Sequence, residues 1–118
     1  MKHPLLAGDR KRIQYEGSCQ LNNTSAVSLA QGDGTMARTG VGTFTVTFAE
    51  DLGTLISATA QVNAGTGDQK VGDITSAVTG GVTVLTITTI DISGAALADL
   101  NAVRLNWRAT YSGAAVGS

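Results

Sequence analysis

Hydrophobic and polar residues alternate along much of this chain, and the clearest case is the stretch from Thr43 to Phe48. Phe44, Val46 and Phe48 fall on one side of an extended backbone, and the three threonines between and before them fall on the other. A period of two in β-branched and aromatic residues is typical of a half-buried strand. Both phenylalanines of the chain lie in this stretch, so we expect the core to form here.

The same alternation predicts further strands on both sides of this one. They are short or weakly patterned at 10–16, 26–30, 35–39 and 69–75, and clear at 55–64, 82–92 and 103–111. The stretch 17–25, with two asparagines and several small hydroxyl residues, is expected to form a loop. The run 82–92 changes phase at Val84-Leu85 and at Thr88-Thr89, which indicates bulges or burial on both faces rather than a helix. The stretch 93–101 is the one place where a short helix of one or two turns could form.

About eight short strands, separated by turns rich in Gly, Asp and Asn at intervals of about 8–12 residues, predict an all-β domain. No internal repeat points to a propeller or a solenoid. We expect an antiparallel two-sheet sandwich of jelly-roll type, and the alternative is an immunoglobulin-like sandwich without its usual pair of cysteines. Within the 118 residues, 13–112 form this domain, 1–12 an N-terminal docking arm and 113–118 a flexible C-terminal tail.

The last predicted strand has two different faces. Trp107 lies on the apolar face, and we expect it to pack in the core against the phenylalanines. Arg104, Asn106 and Arg108 share the other face, and each is about 7 Å along the strand from the next. This stripe is either a solvated outer face or a contact face for an acidic neighbour, because Arg is favoured at interfaces. The pattern alone leaves both interpretations open.

Only 14% of the residues are charged, below the roughly 25% of ordinary soluble domains. A surface with few charges and much Thr, Ala and Gly predicts association with a partner, the alternative being a polar, Thr-rich surface in water. We expect a homo-oligomer of closed symmetry, a trimer or a dimer. The net charge of −1 gives no reason to expect nucleic acid as a partner, and no apolar run approaches the length that spans a membrane.

Residues able to carry catalysis are scarce. The one histidine, His3, lies in the arm, so a Ser/His/Asp or Cys/His arrangement lacks an anchored base. Cys19 is the only cysteine, so the chain cannot form an intrachain disulfide, and this fits synthesis in a reducing cytoplasm. We interpret Cys19 as a small buried hydrophobic residue. No zinc spacing exists, and calcium at Asp33 or Asp68 would need more oxygen ligands than those turns provide. We therefore expect no enzyme activity, no metal and no cofactor.

The arm at 1–12 contains a proline and a glycine, which discourage regular structure, and half of all Lys and Arg of the chain. A segment of this composition cannot bury enough surface to fold alone, so it would become ordered only against a partner. We expect the partner-binding residues to be two apolar anchors and three cations in the arm, with the two arginines of the last strand: Leu5, Leu6, Arg10, Lys11, Arg12, Arg104 and Arg108.

Two stretches carry a resemblance to a known class of protein: RTGVGTFTVTF at 38–48 and ADLNAVRL at 98–105. From Thr35 to Tyr111 the chain resembles small β-sandwich virion proteins of tailed bacteriophages, which are capsid cement (decoration) proteins and head-fibre domains. The resemblance implies a structural protein on the capsid surface that binds the major capsid protein and stabilises the shell. The alternative it implies is a head-fibre or receptor-binding module for a host surface glycan. No coiled coil or long repeat precedes Gln14, which favours the cement protein.

Overall fold

The computed structural model describes residues 12–22, 26–63, 69–91, 97–98 and 101–113. These residues form eight strands: β1 (Ile13–Asn22), β2 (Ser28–Gly32), β3 (Thr35–Gly40), β4 (Thr43–Thr47), β5 (Leu55–Asn63), β6 (Gln69–Thr79), β7 (Val82–Asp91) and β8 (Asn101–Tyr111). The predicted all-β fold is confirmed. The predicted helix at 93–101, most of the arm and the end of the tail fall largely outside the described residues.

The strands form two antiparallel sheets of four. Sheet A has the order β2-β1-β8-β5, and sheet B has the order β3-β4-β7-β6. One apolar cluster, contributed by both sheets, lies between them. The predicted two-sheet sandwich is confirmed, whereas a jelly-roll topology within it is not confirmed. Three consecutive strand pairs (β1 with β2, β3 with β4, β6 with β7) are neighbours within one sheet.

The core forms where the alternation predicted it. Phe44 and Val46 of β4 point inward from sheet B, and Trp107 of β8 points inward from sheet A; each is at most 3% exposed. Phe48 lies beside Trp107, with ring centroids 6.0 Å apart and ring planes at 78°. Edge-to-face contacts of this kind are favoured by the charge distribution of aromatic rings.

Tyr111 joins the two sheets through a polar contact inside the core. Its side chain is fully buried, and its hydroxyl oxygen lies 2.7 Å from Oγ of Ser76 on β6. Burial raises the pKa of the Tyr111 phenol, and the hydrogen bond with Ser76 opposes that rise in part. The sandwich therefore holds this phenol in its neutral form.

Two buried threonines explain the changes of phase that the sequence of β7 displays. Thr83 and Thr89 are fully buried on the inner face of β7, in step with Leu85 and Ile87. Thr83 Oγ1 accepts a hydrogen bond from the backbone N–H of Leu52 at 2.8 Å, and Thr89 Oγ1 donates one to the carbonyl of Ala98 at 2.7 Å. The strand keeps a regular register, and the bulge lies in its neighbour β6, between Val71 and Ile74.

β1 is longer than the sequence indicated, because its pairing with β8 continues through residues expected to form a loop. Gly17 lies opposite Trp107 in this pairing. A Cβ atom at Gly17 would come within 2.8 Å of the Trp107 ring, so the glycine makes room for the indole. The indole N–H in turn points at Sδ of Met36 on β3, 3.5 Å away.

A tight corner at Gly32-Asp33-Gly34 takes the chain from the edge of sheet A to the edge of sheet B. The backbone N–H of Asp33 donates to the carbonyl of Glu16 at 2.9 Å, and the carboxylate of Asp33 accepts from the N–H of Glu16 at 2.9 Å. Gly32 has a φ of +111°, and a Cβ there would lie 2.4 Å from the Glu16 carbonyl oxygen. Only glycine fits this corner without a backbone shift.

Replacing Trp107 with alanine should lower the free energy of unfolding by about 3–5 kcal/mol, because the substitution leaves a cavity against Phe48. Urea unfolding monitored by circular dichroism measures the change. Tryptophan fluorescence cannot be used, because the variant lacks the indole. A native fluorescence spectrum of the wild-type protein typical of a water-exposed indole would contradict the burial on which this prediction rests.

Tyr111→Phe should cost about 1 kcal/mol at neutral pH, because the hydrogen bond to Ser76 is lost. Its effect should shrink at alkaline pH. The folded-state pKa of Tyr111 is raised, so the unfolded chain releases this proton first, and stability falls as pH rises from about 10 through the folded-state pKa. Urea unfolding at several pH values should therefore show that the free energy of unfolding falls less steeply above about pH 10 in the variant than in the wild type. An equally steep fall in the two proteins would contradict the prediction.

Gly32→Ala should destabilise the protein clearly more than Gly80→Ala. Both glycines have a positive φ, which costs alanine about 1–2 kcal/mol, but a Cβ at Gly80 meets no atom within 4 Å. The matched pair thus separates the clash with Glu16 from the backbone strain. Equal midpoints of thermal unfolding for the two variants would show that the corner relaxes freely.

Candidate functional site

The outer face of sheet A is polar at the outward positions of its two central strands from Gln14 to Gln20 and from Arg104 to Thr110. We call this surface the polar face; it comprises Gln14, Glu16, Ser18 and Gln20 of β1, Arg104, Asn106, Arg108 and Thr110 of β8, Ser57, Thr59 and Gln61 of β5, and Gln31 of β2. On β1, β5 and β8 most of the opposite side chains pack in or against the core, as the period of two requires, whereas every residue of β2 is exposed. Register therefore decides which polar groups become neighbours.

One cross-strand row runs over the full width of the sheet. Gln31 pairs with Ser18, Ser18 with Asn106, and Asn106 with Gln61. The three side-chain amides of this row are exposed. Each amide can donate two hydrogen bonds and accept others. In the residues that the structure describes, none of these three amides makes a side-chain hydrogen bond. Their donors and acceptors therefore face the solvent.

A shallow depression of about 630 Å³ lies over this row. Its lining comes from all four strands of sheet A: Glu16, Gly17, Ser18, Gln31, Gly32, Thr59, Ala60, Gln61, Asn106, Trp107 and Arg108. Gly17, Ala60 and Trp107 alternate with the outward residues and face the core, so they contribute only backbone to the depression. The floor of the depression is therefore the backbone of sheet A, and the core lies on its other side. Because the depression is open to solvent, a ligand in it would be covered on one side only.

The structure brings the two arginines of the predicted stripe onto this face, with different partners. Arg104 is half-buried and donates to Oγ of Ser18 at 2.7 Å and to the carbonyl of Leu29 at 3.2 Å. Arg108 is largely exposed, and its Nε lies 3.6 Å from a carboxylate oxygen of Glu16. An ion pair this exposed contributes little to stability. Arg108 thus remains available to a ligand, whereas Arg104 chiefly ties β8 to β1 and β2.

The other predicted partner-binding residues are not brought together with these arginines. Leu5, Leu6, Arg10 and Lys11 lie outside the described residues. Arg12 is exposed and immediately precedes β1. The docking arm therefore stays a prediction.

Few reactive groups lie near the depression. Glu16 is the one carboxylate in its lining. Cys19 is buried on the inner side of β1; burial raises the pKa of its thiol, and nearby Arg104 opposes the rise. Across the described ranges, no three side chains of His, Cys, Asp or Glu gather where they could hold a metal ion. No helix in those ranges has the length and apolar character needed to cross a membrane.

The outer face of sheet B has a different character. Two rows cross all four of its strands: Thr35–Thr47–Val84–Ala77 and Ala37–Thr45–Thr86–Thr75. Thr43 and Thr88 add a third row on the two central strands. We call these ten residues the threonine face; none of them is charged, and the exposed Asp73 of β6 borders it, with its backbone N–H bonded to Oγ1 of Thr88 at 2.8 Å. The two named faces lie on opposite sides of the sandwich.

Sequence reasoning found Arg104, Asn106 and Arg108 but missed Gln31 and Gln61, which complete the row. These glutamines lie 30 residues apart in the chain and become neighbours of Ser18 and Asn106 only through strand pairing. The outward alternation of β5 did indicate that Gln61 is exposed. No local signal indicated which strand it would lie beside.

Comparisons with known proteins supply no family for this chain. No protein-family model, curated protein or solved structure matches it. The chemistry of the two faces is therefore the basis for assigning a function.

Proposed function

We propose that this protein is a structural virion protein, a capsid cement (decoration) protein that binds the major capsid protein and stabilises the shell. It acts by adding contacts between neighbouring subunits and catalyses no reaction. The observation that carries the proposal is the threonine face, a set of ten neighbouring outward positions without a charge. The resemblance of the stretches at 38–48 and 98–105 to phage virion proteins names the partner.

A surface of this composition suits burial against another protein. Charged residues are depleted at the centres of protein interfaces, because their desolvation is costly. Threonine offers a methyl group for packing and a hydroxyl that donates and accepts hydrogen bonds. The side chains are short, so little conformational freedom is lost when they become ordered. The threonine face can therefore pack closely against a polar, uncharged partner surface.

The size of the threonine face supports a repeated lattice contact rather than a strong isolated one. Adjacent strands are about 4.8 Å apart and successive outward residues about 6.8 Å apart, so the three rows span roughly 15 Å in each direction. A stable interface usually buries about 800 Å² per partner. Further contacts would come from the arm at 1–12 and from a second copy of the chain, as expected for a trimeric or dimeric cement protein.

The test is binding to purified shells of the encoding virus that lack the protein. A Thr45→Lys/Thr86→Lys double variant places two charges at the centre of the threonine face and should lower shell occupancy by about tenfold or more, since each charge would be buried without a partner. Electron cryomicroscopy of the wild-type complex should show the protein at regular lattice positions.

Thr59→Lys is the matched control, because it adds a charge at an exposed outward position on the opposite sheet. It should bind shells as the wild type does. Unchanged occupancy for the double variant, with its melting temperature preserved, would remove the threonine face from the interface. Absence of the wild-type protein from the shells would refute the proposed function as a whole.

A further inference from the structure

We propose that the depression on the polar face is a binding site for an oligosaccharide that is neutral or carries a single negative charge. This inference goes beyond shell binding: the site itself does not depend on it, whereas its use by a whole particle rests on the proposed function. A protein that docks by the threonine face presents the polar face to the outside, because the faces lie on opposite sides of the sandwich.

The amide row provides the hydrogen bonds that such a ligand needs. Gln31, Asn106 and Gln61 lie in one row with Ser18, and neighbouring positions are about 4.8 Å apart, so the row extends over about 14 Å. Sugar hydroxyls are both donors and acceptors, as side-chain amides are. A chain of a few sugar units lying across the strands can therefore meet a new amide or hydroxyl at each step.

Arg108 determines the charge that the site accepts. Its guanidinium lies in the lining beside Glu16, and the two side chains are 62% and 63% exposed. A guanidinium has five N–H donors, so the contact at Nε to Glu16 leaves others free for a ligand carboxylate. The charged side chains of the lining, Glu16 and Arg108, sum to zero, and Arg104 is held by Ser18 outside the lining. A single carboxylate, such as that of one uronic or sialic acid unit, can therefore bind through the free N–H groups of Arg108.

Other ligand classes fit the depression less well. A peptide that binds by strand addition runs along an unpaired sheet edge, whereas the amide row of the depression runs across the strands, over the paired β1 and β8 and outward to β2 and β5. Nucleic-acid bases need an exposed aromatic side chain for stacking, and the Trp107 side chain enters the core instead. A shallow site lined by amides and hydroxyls on a rigid sheet is suited to hydroxyl-rich ligands.

The absence of an exposed aromatic ring among the lining residues also predicts weak binding by a single copy. Many copies on one particle would compensate, because linked sites bind a multivalent surface far more tightly than one site does. The site is therefore suited to holding a particle against a glycan-coated cell surface.

The experiment uses the purified full chain on a printed array of bacterial O-antigen and capsular oligosaccharides, followed by NMR titration with the oligosaccharides that bind. The side-chain amide signals of Gln31, Asn106 and Gln61 should shift. Asn106→Ala/Gln61→Ala should bind about tenfold more weakly. Arg108→Ala should lose acidic oligosaccharides selectively and retain neutral ones.

The Thr45→Lys/Thr86→Lys variant serves as the control, because its changes lie on the opposite face, and it should bind every oligosaccharide as the wild type does. Thr59→Lys should lose oligosaccharides while it still binds shells, so the two proposals can fail separately. An array without any wild-type binding, or equal binding by the Asn106→Ala/Gln61→Ala variant with its fold intact, would overturn the oligosaccharide site.

Discussion

The register of β8 between β1 and β5 is the constraint on which the rest of the structure depends. This strand pairs along nearly its whole length on both sides, opposite ten residues of β1 and eight of β5. Its inward residues include Trp107 and Tyr111, and its outward residues include Arg104, Asn106 and Arg108. A shift by one residue would exchange the two sets, placing arginines in the core and an indole in water. The core and the polar face are thus specified by the same pairing.

The apolar core and the depression share a thin wall. Gly17 lies opposite Trp107 in the pairing of β1 with β8, and the indole fills the space that a side chain at Gly17 would take. On the outer side, the backbone of the same residues forms the floor beneath the amide row. Packing of the indole against Phe48 and Met36 therefore holds this floor in place. A larger residue at Gly17 would disturb the core and the depression together.

Local alternation was enough to predict the strands and much of the core, because a period of two is a property of neighbouring residues in the chain. Phe44, Val46 and Trp107 were assigned correctly on that basis. Thr83 and Thr89 were harder to place, since their burial is accompanied by hydrogen bonds to Leu52 and Ala98, which lie outside the strand that contains the threonines.

Features that depend on pairing between distant strands could not be read from the sequence. Of the loop expected at 17–25, the part up to Asn22 is strand, because β8 supplies its partner. The amide row exists only because β2 and β5 lie at the two edges of sheet A. The sequence indicated that individual residues of the candidate site are exposed, but it did not indicate which of them are neighbours.

The two outer faces differ in a way that the core does not require. Either sheet would bury its inner residues equally well with charged or uncharged side chains outside, because outward positions contribute little to the core. Yet the threonine face carries no charge, while the polar face carries Glu16, Arg104 and Arg108 among open amides. Charged side chains keep a surface hydrated, and their absence lowers the cost of removing water from it. This asymmetry is the physical reason for proposing protein contact at sheet B and a soluble, hydroxyl-rich ligand at sheet A.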